Sequence, residues 1–324
     1  MQNIQEKRVA AGRERQALEQ SVVRRYDKMV EKKVNRSCGI HDGTFHADEV
    51  TACALLIVFG LIDEEKIIRT RDSELLAQCE YICDVGGIYE PAKKLFDHHQ
   101  VDYQGPLSSA GMVLLYLKNQ KIITEEVYHF FNESLVRGVD NHDNGLDPQI
   151  PGVCTYSHIL ANFTPIHYEA EPEELEAAFR EALTFSRGHV QRLWDRYQYN
   201  HSCREIIAEA MKTSESFLLF ERAIPWMDVF FELGGEEHPA QFIVMPSGTH
   251  WKVRGIPPSP HDKMRVRWPL PKEWAGLLEE ELKKRTGIEG AIFCHKGRFI
   301  SVWETKEDAL KALDIILQQQ RETA

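Results

Sequence analysis

The chain has 324 residues, of which 43% are hydrophobic, and a formal net charge of −11. That length suggests two domains at roughly 100–200 residues each, and the hydrophobic content excludes a disordered chain. The acidic balance excludes a general basic surface for coating long nucleic acid. It leaves room for a local basic groove beside an acidic metal site, where cations would offset carboxylates. No apolar run approaches the roughly 20 residues that span a bilayer. Residues 1–36 lack the apolar segment of a secretory leader, so a cytoplasmic protein without membrane partners is expected. The seven cysteines are scattered, with no CxxC pair. They argue against a disulfide framework or a thiolate zinc site and read as small buried hydrophobes.

Residues 4–34 read as a charged helix with a thin apolar stripe of Val9, Leu18, Val22, Val23 and Val30. Residues 1–36 are therefore expected to be an extension, either an appendage or a homo-oligomer contact. From Ser37 the pattern becomes alternating α/β. Gly39-Ile40 leads into a His/Asp-rich turn, then a buried helix runs from Val50 to Phe59 and stops at Gly60. Lys66–Thr70 is a predicted strand, Ser73–Gln78 a helix capped by Ser73, and Tyr81–Val85 a buried strand before Gly86-Gly87. Leu95-Phe96 leads into Asp97, and Ser108–Leu117 is a second buried helix. This alternation predicts a parallel-sheet domain over 37–170. Residues 171–215 form a charged helical connector, as one or two long helices. Residues 216–324 form a smaller mixed α/β domain, with strands at 228–233, 241–245, 251–254, 291–294 and 299–302 and a last helix from Glu307 to Gln318.

Three polar turns follow predicted strands: His41-Asp42-Gly43-Thr44-Phe45-His46-Ala47-Asp48, then Asp84, then Asp97-His98-His99. In an open parallel sheet, ligands gather outside the C-terminal strand ends, so these turns are expected to converge. Imidazole and carboxylate without thiolate suit Mn²⁺, Fe²⁺ or Zn²⁺. A two-metal centre needs a bridging carboxylate, which Asp84 or Asp97 can supply, and it suits phosphoryl transfer. The segment from Val139 to Gly145 offers a further carboxylate, Asp140 or Asp143, although Asp-Asn and Asn-Gly are also ordinary turn chemistry. Ser108, Ser109 and Gly111 open a helix whose amides can hold a phosphate or simply be capped by serine. Lys252, Arg254, Lys263, Arg265 and Arg267 lie close in sequence. They read as phosphate contacts or as a solvated basic loop, with Arg254 and Arg267 as the substrate-binding candidates.

These residues resemble the melanocyte-proliferating-gene (Myg) branch of the Asp-His-His (DHH) phosphoesterase superfamily, which includes family II pyrophosphatases, RecJ-type exonucleases and nanoRNases. The resemblance rests on Gly39–Glu49, Arg69–Asp72, Asp84–Gly87, Asp97–Gln100, Ser108–Gly111, Val139–Gly145, Arg267–Pro271, Trp274–Leu277 and Thr286–Phe293. It covers about residues 37–320. It implies an N-terminal DHH-type domain that holds two divalent cations, Mn²⁺ first, with Mg²⁺, Fe²⁺ or Zn²⁺ as alternatives. It also implies a C-terminal substrate domain and 3′–5′ exonuclease activity on RNA. By position, His41 and His46 would hold one metal, Asp48 and His98 the other, and Asp84 would bridge. Asp97 and His99 would be catalytic supports. Three features depart from the family pattern. Ser301-Val302 stands where the family often has a glycine pair, His142 lies between the two aspartates in place of an apolar residue, and the helix at 4–34 has no counterpart. The expected protein is a metal-dependent phosphoesterase acting on RNA or short oligonucleotides. The alternatives are a phosphatase for pyrophosphate or a nucleotide, and a metal- or nucleotide-binding protein without catalysis.

Overall fold

The computed structural model describes residues 33–167, 169–213, 216–262 and 265–323. Residues 4–32 of the expected helix and Lys263 therefore lie outside the described residues, while Val34, expected to end that helix, begins a strand. The chain divides into two compact units, one ending at Trp194 and the other beginning at Asp195. That boundary falls inside the segment expected as a helical connector.

In the first unit the elements are β1 (Val34–Ile40), α1 (Ala47–Val58), β2 (Ile67–Arg69), α2 (Ser73–Ala77), β3 (Cys79–Cys83), β4 (Tyr89–Glu90) and β5 (Leu95–Phe96). They are followed by α3 (Ser109–Asn119), α4 (Glu125–Phe131), α5 (Arg137–Asp143), α6 (Tyr156–Ala161) and the start of α7 (Pro172–Ser202). The sheet order is β2-β1-β3-β5-β4. β1 pairs in parallel with β2 and β3, and β3 with β5. The expected parallel sheet is present, with one addition: the edge strand β4 runs antiparallel to β5.

β1 is buried from Cys38 to Ile40 because it lies between two partners. At Gly39 a methyl group would sit 2.7 Å from Leu76 Cδ2, so glycine lets α2 approach the strand. α1 is buried from Ala47 to Leu56 and packs on α3, α5 and α6. Its small residues Ala52, Cys53 and Ala54 permit close helix approach, while Val50, Leu55 and Leu56 each contribute about 1.5–3 kcal/mol of burial. The cap of α2 is Asp72, not Ser73: its carboxylate accepts from the amides of Glu74 at 2.7 Å and Leu75 at 3.4 Å. A single π-helical turn, Asn132–Val136, joins α4 to α5. Six of the seven cysteines are buried as expected, but Cys154 is exposed.

In the second unit α7 ends and is followed by α8 (Arg204–Thr213), β6 (Phe217–Leu219), α9 (Met227–Glu232), β7 (Phe242–Ser247), β8 (His250–Gly255), α10 (Glu279–Thr286), β9 (Ala291–Cys294), β10 (Ile300–Trp303) and α11 (Lys306–Thr323). The sheet order is β6-β7-β8-β10-β9. The strand expected at 228–233 is the helix α9. Val229 and Phe230 enter a core with Trp226, Phe220 and Ile207, and Trp226 meets Phe230 edge-on at 5.8 Å. That one-turn spacing overrides the strand preference of Val-Phe-Phe. Ser301 is buried, and its hydroxyl accepts from Trp303 Nε1 at 2.9 Å. Among the described residues, no helix is long and apolar enough to cross a membrane.

Candidate metal centre

The three adjacent parallel strands β1, β3 and β5 release His41, Asp84 and Asp97-His98-His99 at their C-terminal ends. Asp84 adopts the left-handed conformation, φ 56°, while its amide donates to the carbonyl of Phe96 at 3.0 Å. A non-glycine residue held there costs of order 1 kcal/mol, and such outliers concentrate at functional sites. α1 starts at once after the first turn. His46 is its N-cap residue, and Glu49 accepts from the His46 amide at 2.8 Å. This capping arrangement fixes Asp48 and Glu49 on the first turn, facing inward.

The side chains then converge. His41 Nε2 lies 3.1 Å from Glu49 Oε1 and 3.3 Å from Asp84 Oδ2, and its Nδ1 bonds the carbonyl of Asp42 at 2.8 Å. His98 Nε2 lies 3.1 Å from Asp143 Oδ2, 3.4 Å from Asp84 Oδ1 and 3.9 Å from Asp48 Oδ2. Ligand atoms within 4.8 Å of one another come from His41, His46, Glu49 and Asp84; from Asp84, His98 and His99; and from His46, Asp48 and Asp143. Asp84 is shared by two of these groups and His46 by two.

The donor set fits divalent cations. Both carboxylate oxygens of Asp48, together with Asp84 Oδ1 and His98 Nε2, are buried without a hydrogen-bond partner among the described residues. A buried carboxylate left so costs several kcal/mol, and a cation removes that cost. His41 donating Nδ1–H to a carbonyl leaves Nε2 as the ligand atom. Four carboxylates and four imidazoles supply only oxygen and nitrogen, the set suited to Mn²⁺, Mg²⁺, Fe²⁺ or Zn²⁺.

The geometry separates the expected ligands. Asp143 faces the cluster. Asp140 does not: its Oδ1 accepts from the Ser108 amide at 3.0 Å, the Ser108 hydroxyl at 2.7 Å and the Gly111 amide at 3.1 Å. Both residues lie on helix α5 up to Asp143, so only Asn144-Gly145 forms a turn. Asp97 is likewise engaged, accepting from the Gly87 amide at 2.5 Å and from the His99 amide at 3.0 Å and ring Nδ1 at 2.8 Å. It orients His99 and lines the same cavity as His41, His46 and Asp84. Ser108, Ser109 and Gly111 are buried; Ser109 donates to the carbonyl of Phe96 at 2.8 Å, and the other two hold Asp140. These amides are therefore a carboxylate lock for α3 and α5, not a phosphate cradle.

Glu49 and Arg71 are additions that the sequence reading does not assign. Glu49 stands at the third helical position after the cap His46, the capping-box spacing that turns its carboxylate back onto the His46 amide. A cavity of about 660 Å³ is lined by His41, His46, Asp84, His99 and Arg71, among others. Arg71 is exposed and pairs with Asp42 at 3.2 Å. In the second unit, Arg267 donates to the carbonyls of Pro257, His238, Ala240 and Gly235 at 3.2, 2.5, 2.9 and 2.5 Å. Its guanidinium is a tie between backbone segments, and the expected planar fork for phosphate is occupied. Arg254 lies over the Phe299 ring at 5.8 Å.

Burial opposes charge on His41, but the carboxylates of Asp84 and Glu49 outweigh it and raise its pKa to about 10. Burial, then Asp84, Glu49 and Asp143, push Asp48 well above the usual carboxylate range. Burial opposes ionisation of Asp84, but His41 and His98 overcome it and hold Asp84 below its ordinary value. The raised His41 contributes stability to the metal-free protein that is complete below the unfolded imidazole pKa, about 6.5. It is lost as pH rises toward about 10. Asp48 acts in the same direction. A cation held by these groups would displace their protons, so its binding would strengthen as pH rises. The expected result is a metal-free melting temperature that falls between about pH 6.5 and pH 10, with a Mn²⁺-induced gain that grows over the same window. Melting curves with and without Mn²⁺ check it; a gain independent of pH would count against His41 as a metal ligand.

A family model for the MYG1 exonucleases, described as an uncharacterised protein family (UPF0160), matches residues 37–315. A MYG1 protein of Chlamydia muridarum is 50% identical over 288 residues, covering 89% of this chain and 99% of the relative. The human MYG1 exonuclease is 32% identical over 323 residues, covering 87% of this chain and 85% of the relative. Among solved structures, RecJ of Thermus thermophilus in complex with Mn²⁺ matches with a TM-score of 0.27 and 11% identity, covering 92% of this chain and 54% of that one. The chain thus spans about half the length of that RecJ. The extent and identity of the sequence matches agree with the motifs that run from Gly39 to Phe293, and the chain belongs to the MYG1 family.

Proposed function

We propose that the chain is a metal-dependent 3′–5′ exonuclease that hydrolyses RNA or short oligonucleotides with two divalent cations, Mn²⁺ first. The ligands would be His41, His46, Asp48, Asp84, His98 and Asp143, with Glu49 beside His41. The observation that carries this reading is the convergence on His98 Nε2 of both Asp48 oxygens and Asp84 Oδ1, buried and without a hydrogen-bond partner among the described residues. Relatives named exonucleases support it. When bound, the cations supply Lewis-acid activation of water and of the phosphoryl group. The chain's own residues do the rest. Asp97 fixes the His99 ring through Nδ1, which leaves Nε2 of this exposed imidazole to move a proton at the cavity wall. Arg71 presents a guanidinium to a phosphate entering the same cavity.

Dialysis against a chelator, verified by metal analysis, is expected to abolish cleavage of a short oligoribonucleotide, and Mn²⁺ to restore it. Full activity after verified metal removal would sink the reading. Turnover of pyrophosphate without cleavage of the oligonucleotide would replace it with a small-molecule phosphatase.

The two arginines are expected to behave differently. Arg71→Ala loses a charge-assisted phosphate contact worth about 1.5–3 kcal/mol, or about tenfold to a hundredfold in kcat/KM, with metal content unchanged. Arg267→Ala leaves kcat/KM within about twofold but lowers the melting temperature, because backbone carbonyls lose their donors at about 1 kcal/mol each. Kinetics and melting curves on both variants decide; reversed effects would return the phosphate contact to Arg267.

A further inference from the structure

Residues 142 and 143 of α5 point about 100° apart around the helix, and they serve different clusters. Asp143 faces His98 at 3.1 Å. His142 faces α6 and the turn that follows α5. Its Nδ1 lies 2.9 Å from Asp147 Oδ2, and its ring stands edge-on to that of His158, with centroids 5.0 Å apart. Two imidazoles and one carboxylate from these three residues offer ligand atoms that all lie within 4.8 Å of one another. All three residues are half-buried.

Each outer ligand has a support that fixes its orientation. Thr155 Oγ1 bonds His158 Nδ1 at 2.9 Å, which leaves Nε2 of that ring available. Gln149 Nε2 donates to Asp147 Oδ1 at 3.2 Å, which leaves Oδ2 for the cluster. Such outer partners are the usual companions of metal-binding histidines and carboxylates. An ion pair between His142 and Asp147 alone would not require His158 to be held in the same cluster. Two imidazoles and a carboxylate with an open position are a ligand set that zinc takes, and they are a poor cage for Mg²⁺, which prefers oxygen.

We infer that His142, Asp147 and His158 form a separate binding site for a zinc-class divalent cation, distinct from the centre at the strand ends. The bound ion links the end of α5 to α6 and closes residues 144–155 between them. This site stands independently of the hydrolytic reading.

The test uses the full-length chain stripped of metal, with Zn²⁺ alone as the probe. Bound Zn²⁺ per chain, calorimetric affinity and melting temperature are measured for the wild type, His158→Gln, Asp147→Asn and Asp48→Asn. The expected result is one Zn²⁺ fewer per chain in His158→Gln and in Asp147→Asn, while Asp48→Asn retains a tightly bound Zn²⁺ that raises its melting temperature. Melting curves without metal identify folded variants, and Asp147→Asn carries the test if His158→Gln does not fold. Equal Zn²⁺ number and affinity in the wild type and both site variants would overturn the inference. So would loss of all tight Zn²⁺ binding in folded Asp48→Asn, or a variant-induced loss of stability that is the same with and without Zn²⁺.

Discussion

Asp84→Asn is expected to lower the rate of hydrolysis by about a thousandfold or more, against a change of about twofold for Asp42→Ala. The two aspartates lie in the same cavity wall but in different physical situations. Asp84 is buried, and its two oxygens face opposite groups: Oδ2 faces His41 at 3.3 Å and Oδ1 faces His98 at 3.4 Å. An asparagine replaces one of those oxygens with an amide that cannot serve as an anionic ligand, so both sides of the cluster weaken together. Loss of several kcal/mol of charge stabilisation corresponds to a thousandfold at about 1.4 kcal/mol per decade. Asp42 is 58% exposed in its side chain and pairs with the exposed Arg71. Surface pairs of that kind contribute about 0–1 kcal/mol. Asparagine at position 84 keeps the side-chain size and tolerates φ near 56°, so the variant isolates charge from backbone strain. Rates, metal content and melting curves on the two folded proteins provide the comparison, and equal rate losses would count against Asp84 as a shared ligand of the proposed centre.

Gly111→Ala is expected to be among the most destabilising single-methyl substitutions in the first unit, at about 3 kcal/mol or more. A Cβ at this position would lie 2.3 Å from Asp140 Oδ2 and 2.8 Å from its Cγ. Asp140 is itself buried, with α3 buried from Ser109 to Leu114, so the carboxylate has no open space beside it into which to withdraw. Overpacking costs about 1–3 kcal/mol, and displacing Asp140 orphans the amides of Ser108 and Gly111 at about 1–3 kcal/mol each. Asp143 rides on the same helix one turn further along, so metal content should fall with stability. Denaturant midpoints and bound-metal ratios measure the two effects. A variant of unchanged stability would show that the Asp140 lock contributes little.

The turns between Gly39 and Gln100 are legible in the sequence because chemistry and local pattern coincide there. Imidazoles and carboxylates follow buried apolar strands, and strand ends in a parallel sheet lie side by side, so His41, Asp84 and His98 meet as expected. The helix α9 is illegible for the opposite reason. Val229-Phe230-Phe231 has strand-like side chains, and only the packing of Val229 and Phe230 against Trp226 and Ile207 makes the segment helical. Cys154 departs from its expected burial because burial depends on what covers a loop, which composition does not encode.

The sequence by itself determined the candidate donor groups, their order along the chain and the family. The tertiary structure decided which groups are available. Asp140 and Asp143 are indistinguishable by spacing, but one is engaged by amides 29 and 32 residues away while the other faces His98. Arg267 and Arg71 are both arginines in family-like segments, but carbonyls 27 to 32 residues away engage one and the cavity receives the other. The physical reason is the same in each case. A side chain's chemistry is local and can be read from its identity, whereas its free valence depends on distant backbone groups that only folding brings within hydrogen-bond reach.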